Sequence, residues 1–261
     1  MGQASDVAAR FDRVSEVYDE TREPLSGAAL DRLASILSND GCGRLLEAGI
    51  GTGRIARPLQ DRGFDVTGVD LSRGMLQRAR GKGLANLALA DANHLPFVEK
   101  SFDAAMMSHV LHLLENPAET FGRLAKAARR EVVILLRKRD EGVQGPSDER
   151  LTFWQTFRKV AEEAGYTSLL GPERWRERFR KEADFVNSFP PSELITIEDV
   201  SGVTTLGHRL SLLEKRAYGF PSDLSDGVFL KLMERLKSTV DLGKEIPYRR
   251  VEQVSIWRLE R

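Results

Sequence analysis

The chain has 261 residues, 41% of them hydrophobic, and its 39 Lys and Arg balance 39 Asp and Glu, so the formal net charge is zero. That balance excludes a generally basic surface for nucleic acid, and the length suffices to bury one large core. The single cysteine, Cys42, excludes an internal disulfide framework and points to a cytoplasmic setting. No apolar run reaches membrane-spanning length, and Met1 to Asp6 lacks the apolar stretch of a signal peptide.

In chain order, Val7, Phe11, Val14 and Tyr18 recur at helical spacing. Tyr18 and Arg22, four apart, are expected on one helix face. After the turn Gly41-Cys42-Gly43, Arg44 to Ala48 has the length and apolarity of a short buried strand. Gly49, Gly51 and Gly53 follow at every second position, and a helical pattern opens at Ile55. Strand, glycine turn and helix form the first half of a βαβ unit. A loop without Cβ atoms lets a ligand approach the backbone, and the helix start beyond it suits an anion.

The dinucleotide fingerprint G-x-G-x-x-G fails at its third place, which is Arg54. Glu47 at the strand tip would repel a pyrophosphate and suits a cationic amine. S-adenosylmethionine (AdoMet) carries an ammonium, a sulfonium and a carboxylate, and so fits an acid beside a glycine loop. Phe64 to Val69 reads as the second strand, ending at Asp70, about 20 residues beyond the loop, the place for an acid on ribose hydroxyls. Ser72 is the expected N-cap of the next helix, with Leu71 and Met75 able to flank an adenine ring. Leu87 to Ala90 is a third strand. Asp91 after it can accept from the adenine amino group. Ser101 to Ser108 gives a fourth strand, a helix runs from Asn116-Pro117 to about Arg129, and Glu131 to Leu136 is a fifth strand.

Leu45 to Leu136 resembles a class I AdoMet-dependent methyltransferase, especially the small-molecule group that includes ubiquinone and menaquinone C-methyltransferases. The matching residues are E-A-G-I-G-T-G from Glu47, V-D-L-S around Asp70, and D-A-N-H-L-P-F-V-E-K-S-F-D from Asp91. The resemblance implies an α/β, Rossmann-like, seven-stranded and mostly parallel sheet with an antiparallel last strand and helices on both faces. It places Gly49, Gly51 and Gly53 along the methionine part of AdoMet, Asp70 on the ribose, and Asp91 with Ala92 at the adenine edge. Ser108 and His109 fall near the transferred methyl. Tyr18-Asp19 and Arg22 resemble an element that precedes this domain, where the arginine could pair with the cofactor carboxylate. The family's proline-glycine-glycine turn before the fifth strand is absent. Lys126 to Glu131 stands there instead, so the strand is expected to start without a tight turn.

Beyond the fifth strand, Asp140 to Ser147 is loop-like, and Phe153, Trp154, Phe157, Tyr166, Trp175, Phe179, Phe185 and Phe189 crowd one segment. Leu151 to Ala164 and Pro172 to Ala183 read as helices of a lid over the C-terminal strand ends. Leu194 to Glu198 is the sixth strand, Leu206 to Ala217 and Ser222 to Val240 are helices, and Val251 to Leu259 is the last strand, near the sheet edge. Four parts follow: residues 1–40 as N-terminal helices covering the cofactor, 41–139 as the AdoMet-binding core, 140–190 as the lid, and 191–261 completing the sheet. The expected function is methyl transfer to a small-molecule acceptor, with S-adenosylhomocysteine as product. His109, whose pKa should lie near neutrality, is the first candidate base and His112, one turn later, the second. The pair has no clear third ligand, so no metal site is expected. A non-catalytic AdoMet-binding module is the alternative. An NAD-dependent oxidoreductase is disfavoured by Arg54 and Asp91.

Overall fold

The computed structural model describes residues 3–138, 172–216 and 224–260, together with 155, 158, 159, 162 and 163. Seven strands form one sheet: β1 Arg44–Ala48, β2 Asp65–Asp70, β3 Leu87–Leu89, β4 Phe102–Ser108, β5 Ala128–Lys138, β6 Glu193–Thr205 and β7 Glu245–Arg258, in the order β3-β2-β1-β4-β5-β7-β6. The ladders among the first five strands are parallel, and β7 runs antiparallel between β5 and β6. The expected sheet is therefore present, with its last strand one place in from the edge.

The central strands are buried almost continuously, as a sheet covered on both faces requires, and successive side chains enter opposite cores. Leu45, Met106, Val133 and Val254 enter one core with Leu33, Leu37 and Leu59 of the helices α2 (Gly27–Asn39) and α3 (Ala56–Asp61). Their neighbours Leu46, Met107, Val132 and Trp257 enter the other, with Leu124 of α5 (Pro117–Ala127) and Phe185 of α6 (Pro172–Ser188). Side-chain caps start the helices where the sequence places them. Ser72 Oγ accepts from the Met75 amide at 3.1 Å to open α4 (Arg73–Gly81), and Asn116 Oδ1 accepts from Glu119 at 3.2 Å ahead of Pro117.

Several boundaries differ from expectation. The helix α1 covers Gln3–Val14 and stops before Tyr18, which leads a 3-10 turn at Asp19–Thr21. Arg22 is already extended, so Tyr18 and Arg22 share no helix face, although the guanidinium lies 4.7 Å from the ring centre. β5 starts at Ala128, the C-cap that follows the last residue of α5, Ala127, so helix passes into strand with no intervening turn. The first expected lid helix, Leu151 to Ala164, falls for the most part outside the described residues, as do Phe153, Trp154, Phe157 and Tyr166. Phe185 and Phe189 stack at 5.3 Å and meet Phe121, and Phe185 also meets Trp257, so the end of α6 packs on the outer face of the sheet.

β6 and β7 pair over their full length, and between them lie α7 (Leu206–Glu214) and α8 (Asp226–Thr239), whose Leu210, Leu213, Phe229, Leu232 and Leu236 form a separate core. The outer part of this arm holds the N-terminal segment. Arg250 of β7 pairs with Glu198 at 2.6 Å and Glu23 at 2.8 Å and donates to the Pro24 carbonyl, while Glu198 accepts from the Ser26 amide at 2.8 Å. Burial alone would raise the Glu198 pKa, but the Ser26 and Arg250 partners outweigh it and hold it below the usual glutamate range. Among the described residues no helix is long and apolar enough to cross a membrane.

Arg250 is 11% exposed and Glu198 3%. Removing the cation strands the buried Glu198 carboxylate, so Arg250→Met should destabilise the fold by roughly 3 kcal/mol in urea unfolding. Arg249→Ala, which breaks the exposed pair with Asp199, should leave the midpoint close to wild type.

Candidate active site

Strand order reverses between β1 and β4, the point at which open α/β sheets leave a crevice beyond the strand ends. A cavity of about 210 Å³ lies there, lined by the tips of β1, β2, β4, β5 and β7 and roofed by Val7, Phe11, Tyr18, Glu23 and Leu25.

The glycine loop forms the floor. Gly49 and Gly51 have φ of +72° and +57°, the left-handed region that glycine adopts without strain. A Cβ at Gly49 would strike Val110 Cγ2 at 2.6 Å, whereas one at Gly51 would enter open space. Asp70 sets the loop: one carboxylate oxygen accepts from the Gly51 amide and the other from the Ser72 amide, both at 2.8 Å. Burial raises the Asp70 pKa, and the amides of Ser72, Gly51 and Leu71 act against it. Asp91 accepts from the Asn93 amide at 2.9 Å, which turns the chain after β3 and presents Ala92 and Asn93 to the cavity. Gly53 also has a left-handed φ of +76°, and a Cβ there would strike Leu84 Cδ1.

Glu47 is 1% exposed, and its Oε2, like Ser108 Oγ, has no hydrogen-bond partner among the described residues. Burial pushes its pKa up to about 8; the nearby Ser108 hydroxyl and the Ala56 amide lower it and Asp70 raises it.

On the far side of β4 the register sets a second group. Arg137 of β5 lies directly opposite Glu252 of β7, and its Nε and Nη2 meet one carboxylate oxygen at 2.8 and 2.7 Å. The other oxygen lies 3.4 Å from His109 Nε2. His109 follows β4 with φ of +58°, its amide bonded to the Leu135 carbonyl. Burial, then the charges of Arg137, Arg178, Arg54 and His112, hold its pKa well below the usual histidine value, so the imidazole is neutral at pH 7.

Of the residues singled out in the sequence, Tyr18, Glu47, Gly49, Gly51, Asp70, Leu71, Met75, Asp91, Ala92, Ser108 and His109 line the cavity. Arg22, Gly53 and His112 do not. Arg22 bonds Thr21 beside the Tyr18 ring, and His112 Nδ1 lies 3.2 Å from Glu182 of α6. The sequence did not single out Glu23, Asn93, Glu115, Arg137 or Glu252. Arg54, noted there only for breaking a dinucleotide pattern, lines the cavity and donates to the Glu23 carbonyl.

The methyltransferase domain family matches residues 46–136. A phosphatidylethanolamine N-methyltransferase of Cereibacter sphaeroides is 33% identical over 147 residues, 52% of this chain and 71% of that protein. Demethylmenaquinone methyltransferases of Renibacterium salmoninarum and Beutenbergia cavernae are 32% and 40% identical, each over 48% of this chain and 54% of their own length. The chain spans about half the length of those two relatives. A candidate methyltransferase from Bacillus halodurans shares the fold, with a TM-score of 0.50 at 17% identity over 89% of this chain and 99% of its own. The chain belongs to the methyltransferase domain family, whose methyl donor is S-adenosylmethionine.

Glu47 separates function from stability. Between about pH 4.5 and 8 the folded chain keeps a proton on Glu47 that the unfolded chain has released, so this group lowers stability as pH rises through that interval. Glu47→Gln should therefore unfold at higher urea than wild type at pH 8, by on the order of a few kcal/mol, and the gap should close towards pH 4.5.

Proposed function

We propose that this chain is an S-adenosylmethionine-dependent methyltransferase that acts on a small molecule. The observation that carries the proposal is the buried carboxyl of Glu47, its Oε2 without a hydrogen-bond partner among the described residues, beside the Cβ-free backbone of Gly49 and Gly51. An ammonium group there would meet Glu47, and a carboxylate would meet the loop amides at the start of α3. Asp70 keeps lone pairs for ribose hydroxyls after serving two amides. Asp91 and the Ala92 amide present one acceptor and one donor to an adenine edge, between Leu71 and Met75. Ser108 supplies an unpartnered hydroxyl at the tip of β4.

When bound, the cofactor supplies a methyl group already activated on a sulfonium. The chain's task is then to position the acceptor, exclude water and take up a proton where one must leave. Val7, Phe11, Tyr18 and Leu25 exclude water, which supports residues 1–40 as the cover. Neutral His109 can accept a proton. The described part of the 140–190 segment, α6, approaches through Glu182 and Arg178, beside His112. The uncharged balance of the surface favours a small acceptor over nucleic acid, and the single buried cysteine suits a cytoplasmic setting.

Titration calorimetry should show S-adenosylmethionine and S-adenosylhomocysteine binding and NAD failing to bind; absence of both adenosyl heats would refute the proposal. Near pH 7, buffers of different ionisation enthalpy should reveal release of about one proton as Glu47 ionises against the ammonium. Asp70→Ala should weaken S-adenosylmethionine binding by about tenfold or more while the urea transition persists. Release of S-adenosylhomocysteine across a metabolite panel distinguishes an enzyme from a silent binder.

A further inference from the structure

We propose that Glu252, clamped by Arg137, is a positioning residue that holds His109 as its Nε2–H tautomer and so leaves Nδ1 as the proton acceptor. The inference rests on the methyltransferase reading for its purpose, but the geometry stands by itself. Three adjacent strands contribute one residue each: His109 just after β4, Arg137 on β5 and Glu252 on β7. Glu252 is 1% exposed. Its Oε1 takes both contacts from Arg137, and its Oε2 has no hydrogen-bond partner among the described residues and stands 3.4 Å from His109 Nε2.

A carboxylate in that place accepts from a ring N–H and cannot donate to a ring lone pair. The proton therefore belongs on Nε2 and the lone pair on Nδ1. Burial, with the charge of Glu198, raises the Glu252 pKa, while Arg137 first and then Arg250 act against that rise and favour the carboxylate. The groups facing His109 are Glu252 and, as cations or potential cations, Arg137, Arg178, Arg54 and His112. Glu252 is the acid in that set, so it stabilises the imidazolium formed when the ring takes a proton.

The device suits an acceptor that arrives with a proton on its attacking atom, such as a hydroxyl. The O–H bond breaks, its proton forms the bond to Nδ1, and the oxygen electron pair forms the bond to the methyl carbon. The carbon–sulfur pair leaves with sulfur as a neutral thioether. An acceptor with a free lone pair and no proton to lose gains nothing from this arrangement.

The test is a long-range proton–nitrogen NMR spectrum of the full chain labelled in its histidines, recorded at pH 7.5 without any ligand. His109 is assigned by the signals lost in His109→Asn, a residue that tolerates positive φ. The expected result is an Nε2–H tautomer with a downfield, slowly exchanging Nε2 proton, which Glu252→Gln converts to a tautomer mixture with loss of the downfield proton. An Nδ1–H tautomer in the wild type overturns the proposal, as does a Glu252→Gln spectrum identical to wild type at His109. Should Glu252→Gln fail to fold, the wild-type spectrum and Arg137→Gln decide in the same way. None of these signals depends on cofactor binding. Normal tautomers without adenosyl binding would sink the methyltransferase reading alone, and the reverse pattern would sink only the role of Glu252.

Discussion

A row of buried charges crosses the C-terminal half of the sheet, and the site depends on it. Glu198 of β6, Glu252 of β7 and Arg137 of β5 stand side by side in the ladders. Two carboxylates directly opposite each other repel, so the row is stable only with a cation at each end. Arg137 answers Glu252, and Arg250, two residues from Glu252 on the same strand face, answers Glu198. Because Arg250 also reaches Glu23 and the Pro24 carbonyl, neutralising the row ties the N-terminal segment over the cavity mouth. Arg54 pulls on the same segment from the glycine loop through the Glu23 carbonyl. One electrostatic requirement therefore joins β5, β6, β7, the loop and the cover.

The two halves of the cavity use buried acids in opposite ways. Around Glu252 the carboxylate has its cation within the chain, which fixes geometry in advance of any ligand. Around Glu47 the carboxyl has none, and burial keeps it protonated. The first arrangement carries its countercharge within the sheet. The second stores an unmet need that only a cationic ligand meets, so affinity at Glu47 comes at the expense of stability. Under the proposed function, the Glu47 side would recognise the cofactor by completing an ion pair, and the Glu252 side would hold a preset arrangement for proton handling.

The fold was legible because the informative residues cluster in sequence. β1, its glycine loop, Asp70 and Asp91 each sit at the end of a short apolar run, and apolar runs with caps such as Ser72 and Asn116 mark element boundaries directly. The absence of a turn before β5 was also legible, since Lys126 to Glu131 contains neither proline nor glycine. What escaped depends on contacts distant in sequence. Arg137 and Glu252 are 115 residues apart and each looks like a strand-end charge until the β5–β7 register places them opposite. A glutamate at a buried position in the alternation of Val251 to Ser255 was the available signal. Tyr18 and Arg22 kept helical spacing, but Ser15 and Thr21 turn the chain by bonding the Asp12 and Tyr18 carbonyls, so the local pattern lost to side-chain competition with the helix.

The arm between β6 and β7 packs as a unit of its own beside the sheet. Its own core of Leu210, Phe229, Leu232 and Leu236 packs apart from the two sheet cores, so α7 and α8 can vary without disturbing β1 to β5. Polar contacts tie it to the N-terminal segment: Lys215 to Glu20 at 2.6 Å, and Arg250 to Glu23 at 2.8 Å. A polar link between separately packed units transmits position with little apolar area at stake. The cofactor floor is consequently held by the sheet, while the roof over the far half is set by charges between the arm and the residues after α1.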